Sequence, residues 1–148
     1  MNETPLGFLL VDAARLYRAS IDRAFEQTGL GLTAGEARTL VYANLHPGLR
    51  QTALAVHMNV EPMTLVGFLD KLEAQGLISR TPDPSDRRAK TVNLTPAADA
   101  ILASVLAAAA RVRVGALEGL SEREKDTFRK ALEQVRANLC LAAKDDAP

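Results

Sequence analysis

The chain of 148 residues is long enough to bury a core without disulfides or metal. Hydrophobic residues make up 47% of it and charged residues 24%, a composition typical of one globular domain. Eighteen Lys and Arg residues balance eighteen Asp and Glu residues, so any nucleic-acid surface must come from local clustering rather than from net charge. The single cysteine, Cys140, excludes an intramolecular disulfide and a cysteine-rich zinc site.

The N-terminal segment does not fit a secretory signal, because "MNETPLGFLLV" carries an acid where such a signal needs lysine or arginine. The longest apolar stretch, residues 100–110, is too short to span a bilayer and meets Arg111. We therefore expect a soluble cytoplasmic protein.

Two helices are predicted before residue 46. Apolar residues at helical spacing predict the first over Leu6–Phe25. Thr33 and Glu36 have the spacing of a capping box, in which each side chain bonds the other's backbone N–H, so the second helix is predicted to begin there. The "HPG" at 46–48 should end it.

The next segment predicts two helices joined by a tight turn, a short helix near 51–57 and a longer one near 61–75. Asn59 stands where the turn needs a left-handed backbone, which asparagine tolerates better than most residues. One stripe of the longer helix is expected to be buried, namely Leu65, Phe68, Leu69 and Leu72. The opposite face presents Met63, Thr64, Gly67 and Lys71.

The remaining chain predicts a β-hairpin followed by two helices. Short β-branched runs at 77–81 and 90–94 flank a loop with two adjacent arginines. Thr95 with Pro96 predicts the capped start of a long helix that ends near Leu117. A second capping box at 121–124 opens the last helix, and the terminal "KDDAP" is expected to fray.

This order of elements is that of a winged helix–turn–helix DNA-binding protein. The sequence resembles the MarR family of transcriptional regulators, and within it the SlyA-like branch. Asp86, Arg88, Leu94 and Thr95 match the family's wing pattern. Residues 65–80 match its recognition helix and first wing strand, and residues 14–22 and 31–40 match its first two helices.

The resemblance implies a mostly α (α+β) fold in a single domain, 1–148. Residues of about 33–94 would form the winged DNA-binding part, and about 5–28 and 95–143 would form dimerisation helices. Long apolar stripes on the first, fifth and sixth helices also favour a second copy of the chain as their cover. The implied protein is a ligand-responsive repressor or anti-repressor that binds a palindromic operator as a homodimer, with no cofactor and no catalytic role.

The family pattern places the recognition helix in the major groove and the wing in the minor groove. It assigns DNA contacts to Arg50, Gln51, Thr52, Met63, Thr64, Gly67, Lys71, Arg87, Arg88 and Lys90. It also pairs Asp86 with Arg88 across the wing tip. The alternative is a solvated hairpin whose arginines only neutralise Asp83 and Asp86.

Gly67 departs from the family pattern, because relatives usually carry an arginine there, the side chain that most often reads guanine. One interpretation is that specificity rests on the wing, on DNA shape and on methyl contacts from Met63 and Val66. The other is a dimeric protein-interaction module in which DNA binding is weakened or lost.

An effector site for a small aromatic or phenolic ligand is implied by analogy, with four residues as its candidates: Arg15, Tyr17, Arg38 and Tyr42. The alternative is ordinary surface arginines and core tyrosines. His46 and His57 have no carboxylate or thiolate cluster beside them, so no metal site is predicted. Cys140 lies between two leucines, which predicts a buried, inert thiol.

Overall fold

The computed structural model describes the backbone of residues 3–145, and side chains up to residue 144. The described residues form six α-helices: α1 Leu6–Glu26, α2 Ala34–Leu45, α3 Gln51–Met58, α4 Pro62–Ala74, α5 Asp99–Ala116 and α6 Glu122–Asp145. They also form three strands, β1 Leu49–Arg50, β2 Ile78–Pro82 and β3 Lys90–Leu94, and a short 3₁₀ turn at Pro96–Ala98. The predicted mostly helical fold with a small sheet is confirmed.

The predicted capping box at the start of α2 is present. The Thr33 hydroxyl accepts from the Glu36 backbone N–H at 3.2 Å, and the Glu36 carboxylate accepts from the Thr33 N–H at 3.0 Å. Because these bonds satisfy two of the N–H groups that a helix start leaves unpaired, they fix where α2 begins.

The turn between α3 and α4 also has the conformation that the sequence predicts. Asn59 has φ 52° and ψ 50°, the left-handed conformation that ends α3, and the Val60 N–H donates to the Ala55 carbonyl at 3.1 Å. Pro62 is the first residue of α4, where the missing N–H has no consequence. These two positions set the helix–turn–helix.

The sheet is antiparallel with strand order β1-β3-β2. The wing hairpin pairs Thr81 with Thr91, and Arg50 of β1 faces Thr91 from the other side. The two-residue strand β1 was not predicted, because so short a strand carries no alternating pattern. It attaches the start of α3 to the wing.

Two apolar clusters hold the first compact unit, which ends at Val112. The larger joins α2, α3, α4 and the sheet, with Leu40, Leu54, Leu65, Leu69 and Val92 among its fully buried members. The smaller joins α1, α2 and α5 through Phe25, Ala37, Val105 and Ala108.

The buried stripe of α4 is confirmed for Leu65, Leu69 and Leu72, whereas Phe68 is only half-buried. The Phe68 ring lies over Gly35 at the start of α2, so close that an added Cβ at Gly35 would be 2.2 Å from the ring Cζ. The prediction of full burial was wrong because Phe68 lies at the edge of the α2–α4 contact.

Thr95 differs from the sequence prediction in its bonding. It precedes the 3₁₀ turn, but its hydroxyl makes no capping bond and instead donates to the Gly76 carbonyl at 2.5 Å. The side chain therefore fastens the end of α4 to the end of β3 rather than capping α5.

The second compact unit begins at Arg113 and contains α6. Its predicted capping box is present, with the Ser121 N–H 2.7 Å from the Glu124 carboxylate and the Glu124 N–H 3.3 Å from the Ser121 hydroxyl. The bond from the Ser121 N–H, together with a 2.8 Å bond from the Ser121 hydroxyl to the same carboxylate, lowers the pKa of Glu124. Exposed apolar side chains line one face of α6, namely Phe128, Leu132, Val135 and Leu139.

Cys140 is exposed in the single chain, where the prediction of a buried thiol was therefore wrong. Its neighbours Leu139 and Leu141 are themselves exposed, and flanking leucines therefore gave no measure of burial. Lys144 and Asp145 continue α6, and the rest of the expected frayed terminus, 146–148, lies outside the described residues.

Among the described residues, no helix combines the length and the apolar character that a membrane span requires.

Candidate nucleic-acid interface

The outward face of α4 is largely uncharged in its first two turns. Met63 is 77% exposed, and Thr64 and Gly67 beside it are exposed as well. An added Cβ at Gly67 would meet nothing within 4 Å, so the glycine leaves an open gap on this face. The face offers a methyl-rich surface and one hydroxyl.

Lys71, one turn further on, is the cation that α4 was predicted to place against DNA. Its ammonium lies 3.6 Å from the Glu36 carboxylate, which is buried and also belongs to the α2 capping box. Lys71 therefore balances a buried charge as well as facing solvent.

A guanidinium on β2 fixes α4 to the wing. Arg80 Nη2 donates to both Asp70 and Glu73 at 2.6 Å, and Arg80 Nε donates to Glu73 at 3.1 Å. The bond from Arg80 is the main cause of the lowered pKa of Glu73, and the same bond raises the pKa of Arg80. This three-residue cluster was not predicted, because helix and strand meet only in the folded chain.

The wing tip is a compact turned loop between β2 and β3. The Asp83 N–H donates to the Ala89 carbonyl at 2.9 Å, and the Ala89 N–H donates to the Asp86 carbonyl at 3.0 Å. Asp86 Oδ1 accepts from the Arg88 N–H at 3.1 Å and lies 3.5 Å from Arg88 Nε.

The basic side chains of the tip face solvent. The Arg88 side chain is 95% exposed, and Arg87 and Lys90 are exposed too. Within residues 3–144, no carboxylate lies at ion-pair distance from Arg87 or Lys90. The predicted wing residues thus come together as one positive tip.

Arg50 joins this tip rather than the helices. Its Nε donates to Asp83 Oδ2 at 2.7 Å and its Nη2 donates to the Ser85 hydroxyl at 3.1 Å. The Arg50 guanidinium is the main reason that the pKa of Asp83 is well below its usual range. Asp83 remains ionised at neutral pH, and the pair links β1 to the wing.

The first turn of α3 holds the other two residues predicted to contact DNA. Thr52 is exposed, whereas Gln51 is half-buried. The Gln51 Oε1 atom is buried without a hydrogen-bond partner among the described residues.

The comparisons with known proteins match this architecture. A family model described as "MarR family" matches residues 32–90, from just before α2 to the first residue of β3. The transcriptional regulator PA3341, whose crystal structure is known, has 36% sequence identity to this chain. The match covers 91% of this chain and 98% of that of PA3341, with a TM-score of 0.74. The chain belongs to the MarR family.

Two further crystal structures are similar over most of their length. MarR is 26% identical, with 98% of this chain and 97% of that chain covered and a TM-score of 0.80. CouR from Rhodococcus jostii RHA1, bound to p-coumaroyl-CoA, is 29% identical over 88% of this chain and 90% of that chain, with a TM-score of 0.70. MarR-family regulators are generally non-enzymatic transcription factors.

In this MarR-family chain, three of the four candidate effector residues have separate partners. Arg15 binds Asp12 at 3.1 Å on the surface of α1, and Arg38 binds Asp22, which joins α2 to α1. Tyr17 is partly exposed. Tyr42 is half-buried and its ring stacks 6.5 Å from that of His46.

A shallow cleft of about 320 Å³ lies between α1 and α5. None of the four candidate effector residues lines it; its walls are Ser20, Arg23, Ala24, Gln27, Ala108, Arg111 and Val112. These wall residues were not predicted, since small and basic side chains on a helix surface carry no motif.

The ring centroids of His46 and His57 lie 4.3 Å apart, and the rings are stacked. Among the described residues no three His, Cys, Asp or Glu side chains cluster as metal ligands.

Proposed function

We propose that the protein is a homodimeric, sequence-specific DNA-binding transcriptional regulator that acts on chromosomal DNA in the cytoplasm. The observation that carries this proposal is the wing: Arg87 and Arg88 are exposed at the tip of a loop that is bonded to the helix–turn–helix through Arg50 and Arg80. A cationic tip with internal bracing and no apolar packing fits a nucleic-acid contact.

The wing suits a minor groove. A guanidinium is planar and narrow, and A·T-rich minor grooves concentrate negative potential. Arg87 and Arg88 would enter the groove, while Lys90 at the base of the hairpin would contact a phosphate. Bonds within the loop reduce the conformational freedom that binding must remove.

The recognition helix α4 suits the adjacent major groove. Met63 and Thr64 lie at its N-terminal end, which is the end that contacts base edges in helix–turn–helix proteins. Since the side chains there are methyl-rich and uncharged, we propose that they contact thymine methyl groups. Arg50, Gln51, Thr52 and Lys71 would supply or support phosphate contacts around it.

The dimer is supported by apolar side chains that the single chain leaves exposed. On α1 these are Leu6, Phe8, Leu9, Val11 and Leu16. A second copy of the chain is the simplest cover for such faces. We propose residues 33–94 as the winged DNA-binding part and residues 5–28 and 95–143 as the dimerisation helices. Two such parts would bind palindromic half-sites about 34 Å apart.

A small aromatic or phenolic effector is proposed as the regulating ligand, and the p-coumaroyl-CoA complex of CouR supports this ligand class. Repression would be relieved if the effector bound better to the dimer that cannot bind DNA. By linkage, DNA would then weaken effector binding by the same factor. Assignment to the SlyA-like branch remains a prediction from the sequence motifs.

The test is binding of the full-length dimer to a duplex from upstream of its own gene, against a scrambled duplex, across a salt series. Preferential binding that weakens steeply with salt supports an operator-binding dimer. An R87A/R88A variant should remain dimeric and lose affinity.

A protein-interaction module is the second candidate, and the absence of any charged base-reading side chain at Met63, Thr64 and Gly67 favours it. Such a module would not distinguish the two duplexes even at low salt, and R87A/R88A would leave its weak DNA binding unchanged. Selection of bound sequences from a randomised duplex pool then decides between a different operator and no operator.

A further inference from the structure

Arg50 lies at the junction of β1 and α3, yet its side chain reaches the wing. The residue ends β1, precedes the first residue of α3, and is 33 positions away from Asp83 in the chain. Its Nε donates to Asp83 Oδ2 at 2.7 Å, and its Nη2 donates to the Ser85 hydroxyl at 3.1 Å. One guanidinium therefore holds two residues of the loop.

Asp83 is the centre of the bonds that shape this loop. Its Oδ1 accepts from the Ser85 N–H at 2.8 Å and from the Ser85 hydroxyl at 2.7 Å, while its own N–H donates to the Ala89 carbonyl at 2.9 Å. The Asp83 side chain is only 14% exposed. Arg50 thus acts on the carboxylate that closes the loop bearing Arg87 and Arg88.

We infer that Arg50 is a positioning residue, which sets the direction of the wing tip instead of gripping a DNA phosphate itself. The inference rests on the proposed DNA-binding function. Two N–H groups of the guanidinium, on Nε and Nη2, are already used by Asp83 and Ser85. A phosphate could meet only the remaining N–H groups, whose direction the nearly buried Asp83 carboxylate sets. Bidentate use of this kind fixes geometry as well as charge.

The Asp83→Asn variant separates the two roles by the sign of its effect. If Arg50 gripped a phosphate, removing the competing carboxylate would free the guanidinium and remove a negative charge near DNA, so operator binding would tighten. If Arg50 positions the wing, the same change loosens the loop. We expect D83N to bind the operator about tenfold more weakly than the wild type.

A double-mutant cycle supplies the second measurement. Arg50→Met should cost about tenfold in operator affinity in the wild-type background and nothing further in the R87A/R88A background, because both changes act through the same tip. A phosphate contact would instead cost the same factor in both. Arg50→Lys is the matched control: it keeps the charge but lacks the fork that reaches Asp83 and Ser85, so we expect an intermediate loss.

Backbone ¹⁵N relaxation of the free, full-length dimer tests the tether without DNA. In R50M and D83N the amides of residues 85–89 should become more mobile on the nanosecond timescale, while those of 65–72 in α4 should not change. Unchanged loop order, wild-type or tighter binding by D83N, or a full R50M effect in the R87A/R88A background would each overturn the inference. If the wild type binds no operator while the loop loosens as expected, it is the proposed function that fails, and with it any role of Arg50 in positioning for DNA.

Discussion

The recognition helix α4 and the wing are both predicted to contact DNA, but different kinds of interaction hold them in place. The inner face of α4 buries Leu65, Leu69 and Leu72 in the core, and its outer face in the first two turns is uncharged. The wing tip lies outside the apolar clusters, and polar bonds from Arg50 hold its loop.

This difference separates stability from binding. Apolar burial in α4 supports the free energy of unfolding, since each buried leucine removes a large area from water. The exposed ion pairs of the wing contribute little to the free energy of folding. The two arginines at its tip should instead contribute strongly to the free energy of binding a polyanion such as DNA. Substitutions in the two regions should therefore change different measured quantities.

The largest effect is expected for Leu69→Ala in α4. Removing a fully buried leucine side chain should lower the free energy of unfolding by about 2–5 kcal/mol. Chemical denaturation at one fixed protein concentration measures it, because dimer stability depends on concentration. Met63→Ala on the exposed face of the same helix is the control, and equal losses in both variants would contradict the separation of faces.

The reverse pattern is expected for Arg87→Ala with Arg88→Ala. The free energy of unfolding should change by less than about 0.5 kcal/mol, whereas operator affinity should fall about 30-fold, roughly 2 kcal/mol. The slope of log affinity against log salt should become shallower by about 0.9 for each DNA phosphate that the variant no longer neutralises. A large loss of stability with an unchanged salt slope would assign the wing a structural role.

The sequence carried local features of this fold much better than distant ones. The capping boxes at Thr33 and Ser121 and the left-handed Asn59 were predictable, because each depends on residues within three or four positions. The Arg50–Asp83 pair joins residues far apart in the chain, and no periodicity reports such a contact. Arg50 was therefore assigned to DNA with no indication of its bond to Asp83.

Thr95 and Lys71 show how one residue can have two plausible partners, of which the sequence indicates only one. Thr95 before a proline has the pattern of a helix cap, but the Gly76 carbonyl lies within its reach and takes the hydroxyl. Lys71 was assigned to DNA, and the structure adds the buried Glu36 as its partner. In both cases the second partner comes from another element, so the choice is made only after packing.

A smaller effect is expected for alanine at Gly67 in α4, and alanine at Gly35 in α2 is the matched comparison. Gly67→Ala should raise the free energy of unfolding by about 1 kcal/mol, because a mid-helix glycine is costly and the added Cβ meets nothing within 4 Å. Gly35→Ala should lower it by at least about 1 kcal/mol, since the Cβ would overlap the Phe68 ring. Thermal and chemical unfolding measure both, and a gain for both would contradict the packing of Phe68 on Gly35.

The smallest effect concerns the apolar outer face of α4. If Met63 contacts a thymine methyl, replacing that thymine by deoxyuridine in one half-site should weaken binding about fourfold, since one buried methyl group is worth roughly 0.8 kcal/mol. The Met63→Ala dimer should bind the two duplexes equally, because the side chain that covers the methyl is gone. Competition binding with thymine and deoxyuridine duplexes measures this difference. If the fourfold preference persists in Met63→Ala, the methyl is read by another residue, and α4 would have to be docked in a different register.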